Sequence, residues 1–308
     1  MHLAVLAIVA ADREDTLDAI EVPWRAGDIV DNQFVIRKLL GHGGMSSVWD
    51  AYDNVFQRFV ALKTTHDREL SEKLATDEAR ALAAIRHPGL PIAHSIGRQR
   101  GWTFLVLERL YGVTVQHVML HPERPGSPSS IPEAVRILVG IAEVLSAVHA
   151  AGMAHHDVKP ANVMLCAGGR VVLLDFGIMI PEVDAAAAMS SGTPRYLAPE
   201  MVLESLRPGQ VHLLDIYALG VMGFELLAGR PPFHADSVQG LMHMHICDRP
   251  PDLLELRPEM PVALADLIDA CLAKSPANRP GGIDQVLWEL RACGRTAAMN
   301  RGVVASRG

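Results

Sequence analysis

No run of lysine and arginine, no Cys-x-x-Cys pair and no apolar stretch of the ~18–20 residues needed to span a bilayer occurs in the sequence. Each absence removes a class of function. Without a basic run, and with a net charge of −7, nothing supplies the positive field that a nucleic-acid backbone demands. Nucleic acid is not an expected partner. The four cysteines, Cys166, Cys247, Cys271 and Cys293, are scattered, as free thiols in a reducing cytoplasm would be. No membrane segment is expected either. The apolar opening from Leu3 to Ala11 is short, lacks a basic flank and runs into Asp12, Arg13, Glu14 and Asp15, unlike a signal peptide. Residues 1–27 read as an N-terminal extension, either a small helix packed on the body or a misplaced start.

What the chain does have is apolar residue: 49% of its 308 positions, against 20% charged. That is the composition of a soluble folded protein, at a length that suits one large domain or two packed lobes. The pattern changes along it. From Phe34 to Glu108 strands dominate: Phe34 to Leu40, Val48 to Asp53, Phe59 to Lys63 and Phe104 to Leu107. One predicted helix, Leu70 to Arg86, interrupts them and stops at His87-Pro88-Gly89. After Gly112 helices dominate. The clearest is predicted from Glu133 to His149, with Val135, Leu138, Ala142, Leu145 and His149 on one face. A Pro-, Ser- and Gly-rich loop, Pro122 to Pro132, precedes it.

Gly41-His42-Gly43-Gly44-Met45-Ser46-Ser47-Val48 lies between two predicted strands. A dinucleotide fingerprint needs a helix N-terminus after its glycines. A P-loop needs Gly-x-x-x-x-Gly-Lys-Ser/Thr. Neither context is present. A glycine-rich hairpin can instead fold over phosphates, because its amides approach oxygens without Cβ interference; a simple turn is the plain alternative. Lys63 ends the strand Val60-Ala61-Leu62-Lys63. Glu78 falls in the apolar stripe Leu74, Glu78, Leu82, Ile85 of the following helix. An inward carboxylate is costly unless paired, and Lys63 is its natural partner; a surface glutamate on a poorly placed helix is the alternative.

The strongest pattern is His155-His156-Asp157-Val158-Lys159-Pro160-Ala161-Asn162, followed by Asp175-Phe176-Gly177. Val163-Met164-Leu165 and Val171 to Leu174, joined through Ala167-Gly168-Gly169, form a predicted hairpin. It brings Asn162 and Asp175 side by side. One amide oxygen and one carboxylate suit Mg²⁺, which keeps much of its water. Asp157 is placed to accept a proton from a substrate hydroxyl, and Lys159 to neutralise charge on a moving phosphoryl group.

With these residues in view, the chain resembles bacterial members of the eukaryotic-type serine/threonine protein kinase family, over about 28–293. The resemblance implies an α+β bilobal fold: a small antiparallel N-lobe with one helix to about residue 110, then a larger helical C-lobe, with 294–308 as a tail. It implies ATP and Mg²⁺, with Mn²⁺ as an alternative ion, and transfer of the γ-phosphoryl group to serine or threonine of protein substrates in signalling. Gly41, Gly43 and Val48 match the glycine-rich loop, Lys63 and Glu78 the lysine–glutamate pair, and Asp157 the catalytic aspartate. Asn162 and Asp175 match the metal ligands, and Lys159 the lysine of the serine/threonine branch. ATP contacts are implied along Leu40, Gly41, His42, Gly43, Gly44, Met45, Ser46, Ser47 and Val48. They are also implied at Ala61 and Met164 on the two faces of adenine, at the gatekeeper Leu107, and at the hinge Glu108 to Leu110. Gly192 to Glu200, with Thr193, matches the platform for the substrate peptide. Asp215 resembles the buried aspartate that braces the catalytic loop, and Arg279 the arginine that pairs with Glu200.

Two departures stand out. Ser46 replaces a common third glycine. His156 replaces the arginine that often holds an activation-segment phosphate, and an imidazole, unlike a guanidinium, is mostly uncharged near neutral pH. Activity is therefore expected to depend only weakly on phosphorylation of Ser190 and Ser191. Thr193, a third candidate phosphosite, is expected to act structurally near Asp157 and Lys159. A catalytically silent ATP-binding scaffold and a small-molecule kinase of related fold remain alternatives. The complete set Lys63, Glu78, Asp157, Asn162 and Asp175 argues against the first; Lys159 and the platform argue against the second. Relatives often carry a membrane helix and sensor after the kinase domain, so input here is expected from the extension, a missing region or a separate regulatory partner. His117 and His121, four residues apart, are expected to face solvent. His212, His243 and His245 have no metal-binding set beside them in sequence.

Overall fold

A computed structural model describes residues 23–42, 46–121, 130–176, 180–182, 184 and 193–305. Gly43, Gly44 and Met45 of the glycine-rich stretch, and Ser190, Ser191 and Gly192 of the later segment, lie outside the described residues. The N-lobe is an antiparallel sheet of β1 (Ile29–Val30), β2 (Phe34–His42), β3 (Ser46–Asp53), β4 (Arg58–Thr65), β5 (Ala93–Gln99) and β6 (Trp102–Glu108), in the order β1-β2-β3-β4-β6-β5.

Alternation along β4 and β6 decides what each face does. Val60, Leu62, Phe104 and Val106 join Trp24, Phe34, Ile36 and Trp49 in an aromatic core. Ala61, Leu105 and Leu107 turn to the other face, where Ala61 pairs with Leu107 and Lys63 with Leu105. Trp24 meets Trp49 and Phe104 edge-on, with centroids 6.3 and 5.5 Å apart. Such pairs add ~0.5–1.5 kcal/mol beyond burial. The extension drawn to residue 27 thus includes one core residue; a lone tryptophan after Pro23 carries no periodicity that would reveal it.

The inserted helix, α1 (Arg68–Ala84), begins where Asp67 caps the amides of Glu69 and Leu70. Its buried stripe is Ser71, Ala75, Glu78, Ala81 and Leu82, while Leu74 is half-buried. Small residues toward the sheet let the helix lie close, with Glu78 over β4. Strand β5 has no apolar alternation because it is an edge strand whose residues are half-buried or exposed.

The C-lobe contains α2 (Val115–Leu120), α3 (Ile131–Ala150), α4 (Pro199–Val202), α5 (His212–Ala228), α6 (Val238–Cys247), α7 (Leu253–Leu256), α8 (Val262–Cys271) and α9 (Ile283–Ala305). Helix α3 carries Pro132 in its first turn. Helix α5 is buried all round from Leu213 to Leu227 and ends at Gly229 in the left-handed region. Against these pack β7 (Gly112–Thr114), β9 (Val163–Cys166) and β10 (Val171–Leu173), ordered β10-β9-β7. The β9–β10 turn uses Gly168 at φ 73° and Gly169 at φ 80°, which only glycine adopts freely. A short pair, β8 (Met153–Ala154) with β11 (Ile180–Pro181), follows the same lobe. His117 and His121 are half-buried with rings 4.7 Å apart rather than simply solvent-facing. Among the described residues no helix is long and apolar enough to cross a membrane.

Candidate active site

The lobes meet over a cavity lined by residues from both. Leu40, Val48 and Ala61 form its N-lobe wall, and Met164 and Leu174 its C-lobe wall. Leu107, Glu108, Arg109 and Leu110 run along its back, with Pro91 beside them; Lys63, Glu78 and Asp175 close its inner end. The connecting strand is pinned from both sides. Arg109 Nε donates to Asp50 on β3 at 2.7 Å, and Arg170, on the β9–β10 turn, grips both carboxylate oxygens of Glu108.

Because β4 alternates, Lys63 shares the inner face with Ala61, and α1 sets Glu78 against it. Lys63 Nζ donates to both Glu78 oxygens at 2.7 Å and to Asp175 Oδ1 at 2.8 Å. All three side chains are buried. Burial opposes the lysine's charge, yet Asp175 and Glu78 together outweigh it and raise the ammonium's pKa. Burial also pushes Asp175 up, but Lys63 wins and holds it below the usual carboxylate range. For Glu78 burial prevails, reinforced by the charge on Asp175, and its carboxyl sits high. One ammonium serves two carboxylates, so the cluster carries an excess negative charge.

Asp157 stands across from it. Its Oδ2 accepts from Lys159 Nζ at 2.6 Å and Asn162 Nδ2 at 2.8 Å, and its Oδ1 from Thr193 Oγ1 at 2.9 Å. Lys159 Nζ also donates to Thr193 Oγ1 at 2.9 Å. The loop is braced from below by Asp215, which is fully buried on α5. Asp215 accepts the amides of His155 and His156 at 2.8 and 2.7 Å and His149 Nε2 at 2.8 Å. Burial pushes the Asp215 carboxyl up, but the bond to His149 and its neighbours hold it down. His155 is itself fully buried, which depresses its pKa; its ring lies edge-on to Phe176 at 4.8 Å. His156 and Asp175 both adopt φ +67°. A branched or charged residue holds that conformation only where the surroundings over-determine it, at a cost of ~1–3 kcal/mol.

The β9–β10 hairpin brings the ends of its strands together, and Leu174 N donates to Asn162 O at 2.7 Å. Both amide hydrogens of Asn162 are directed at Asp157, which fixes the amide's orientation. Its Oδ1 is buried without a hydrogen-bond partner. A buried lone acceptor is costly unless something occupies it, and beside an excess negative charge a divalent cation fits. No three or more His, Cys, Asp or Glu gather as a metal site among the described residues. Asn162 and Asp175 would therefore share the ion with phosphate and water, as Mg²⁺ accepts.

Other predicted positions fall as follows. Gly41 pairs with Val48 and His42 with Ser47 across the glycine hairpin. Ser47 Oγ lies 2.9 Å from both His42 Nδ1 and His66 Nε2, and the two imidazoles stack at 4.6 Å. Ser46 is buried and does not line the cavity. Of the described residues of this stretch, Leu40 and Val48 line the cavity, and Gly41, His42 and Ser47 do not. Glu200 and Arg279 form a two-pronged buried pair at 2.6 and 2.7 Å. His212 binds the carboxylate of Glu182, 30 residues away, at 2.7 Å. Sequence reasoning gave no role to Arg170, and it placed Arg109 only in the hinge, His149 only on the apolar face of its helix and Leu174 only in the hairpin. No local signal pointed to what each of them contacts.

A family model described as the protein kinase domain matches residues 34–289. The serine/threonine-protein kinase PknA of Mycobacterium tuberculosis is 34% identical over 270 residues, covering 83% of this chain and 60% of that protein. PknE of the same species is 35% identical over 256 residues, covering 79% of this chain and 43% of PknE. The chain thus spans about half the length of the curated relatives it matches. With the bilobal fold and the residues at its cleft, these matches establish that the chain belongs to the protein kinase family, alongside the eukaryotic-type serine/threonine kinases of bacteria.

Proposed function

We propose that the chain is a serine/threonine protein kinase that transfers the γ-phosphoryl group of ATP to hydroxyls of protein substrates. The carrying observation is that Lys63 and Asp175 close the inner end of the interlobe cavity, while Asn162, whose carbonyl accepts the Leu174 amide next to Asp175, is bonded to Asp157. Adenine lies between Ala61 and Met164 against the backbone of 108–110, and the phosphates lie under the Gly41–Val48 hairpin beside Lys63. Mg²⁺, or Mn²⁺, held by Asn162 and Asp175, would neutralise phosphate charge.

Asp157 orients the acceptor, whose oxygen bonds to the γ-phosphorus as the bond to the ADP oxygen breaks; the hydroxyl proton passes to the Asp157 carboxylate. Lys159 stabilises charge on the moving group while holding Asp157 and Thr193 in place. Positioning and electrostatics carry most of the catalysis. We place the enzyme in the cytoplasm, consistent with four free cysteines. We assign control to a separate regulatory protein, since His156 is a weak receiver for an activation-segment phosphate. The test is radiolabelled transfer from ATP to the chain and to myelin basic protein, beside Asp157→Asn. Label lost in the variant supports the reading. ATP-dependent thermal stabilisation without transfer would favour a silent scaffold.

A further inference from the structure

Beside the catalytic loop lies a second, open groove, lined by Gln116, Met119 and Leu120 on one side and by Pro160, Arg195 and Glu225 among others. It reaches Lys159 and Thr193, the residues bonded to Asp157. A substrate chain entering a kinase site would lie here, and the role of this groove rests on that kinase reading. Among the described residues three charged side chains line it, and two are already committed. Lys159 is buried against Asp157 and Thr193. Glu225, 10% exposed, accepts from Tyr196 Oη at 2.6 Å and faces Arg195 at 3.7 Å. Burial pushes the Glu225 carboxyl up, against the bond from Tyr196 and the charge of Arg195.

Arg195 is different. Its side chain is 48% exposed and its contact with Glu225 is long, so among the described lining residues it is the charge still available to a ligand. We propose that the groove selects substrate segments carrying an acidic side chain near the acceptor hydroxyl, read by the Arg195 guanidinium. The position can be bounded. Arg195 is two residues from Thr193, a span of at most ~8 Å. With its side chain added, and an extended peptide rising ~3.3 Å per residue, the acidic residue lies within about four positions of the acceptor.

The test is a peptide library, each flanking position varied among Asp, Lys and Ala, phosphorylated by the wild type, Arg195→Glu, Arg195→Ala and Arg195→Lys. The wild type is expected to favour Asp over Lys at one or more positions within four of the acceptor, by about fivefold in kcat/KM. Arg195→Ala should erase that ratio, Arg195→Glu invert it and Arg195→Lys keep it. A merely structural role for Arg195 would lower all peptides together and leave the ratio intact. A flat wild-type profile, or a preference that survives Arg195→Glu, overturns the inference while leaving the kinase reading standing. Absence of transfer to every peptide and to the chain itself overturns both.

Discussion

Lys63–Glu78 in the N-lobe and Asp157–Lys159 in the C-lobe are both buried ion pairs at the same cleft, yet they are braced differently. The N-lobe pair joins β4 to α1 and reaches the C-lobe through Asp175 and a 3.3 Å bond from the Phe176 amide to Glu78. Its three charges do not cancel. The C-lobe pair is only two residues apart in one loop, with Thr193 and Asn162 bonded to it and Asp215 fixing the backbone beneath. Charge holds the first half; hydrogen bonds to fixed backbone hold the second. The N-lobe half therefore depends on where α1 lies, whereas the C-lobe half is preset by its own helices.

The largest effect that separates the halves is on turnover. Asp157→Asn keeps an acceptor oxygen and the Asp215 bracing but removes the base, so phosphoryl transfer should fall by ~10²–10⁴-fold. ATP affinity and the unfolding midpoint should stay near wild type. A variant that loses ATP binding as well would mean the C-lobe half is not preset.

On the other side, Lys63→Met strands Glu78 and Asp175 as two buried carboxylates without their cation. Breaking a buried pair this way costs ~3–5 kcal/mol, read by urea unfolding. An unfolding curve like the wild type's would show that the N-lobe cluster is not held by charge.

Acid loads the C-lobe by itself. His245, fully buried beneath Tyr217, has its pKa pushed down to about 4 by burial, with the Lys274 ammonium adding to it. The unfolded chain takes up that proton near pH 6.5, the folded one only near 4. This stability is thus complete above about 6.5 and is lost as pH falls towards 4, by ~3 kcal/mol. His245→Asn, which keeps an acceptor for Tyr217, should flatten thermal unfolding between those pH values. An unchanged acid slope would rule His245 out as its source.

The smallest effect belongs to the segment that carries Ser190 and Ser191. Ser190→Ala with Ser191→Ala should change the transfer rate less than tenfold, ~1.4 kcal/mol; a larger fall would show that phosphate there does organise the site.

Much of the fold was legible because the short apolar runs of β2, β4 and β6 and the α3 stripe are written in the sequence. Lys63, Glu78, Asp157, Asn162 and Asp175 were legible because the hairpin and helix spacing place them. Strand β5 and Trp24 were not: one is a polar edge and the other a lone aromatic. Nor were Arg170 gripping Glu108, His149 bracing Asp215, or His42 turned to Ser47 and His66. Each depends on a tertiary approach across 5 to 66 residues that no local period encodes.

The most direct test of the central claim, that the two halves together form a phosphotransferase for hydroxyl side chains, follows the transferred group itself. The chain and an unrelated protein substrate are incubated with Mg²⁺ and ATP labelled with heavy oxygen on its γ-phosphate, then mapped by mass spectrometry. Labelled phosphoserine or phosphothreonine in the wild type, and none above background in Asp157→Asn, is the predicted result. Equal labelling in both, or labelling confined to tyrosine, would contradict it.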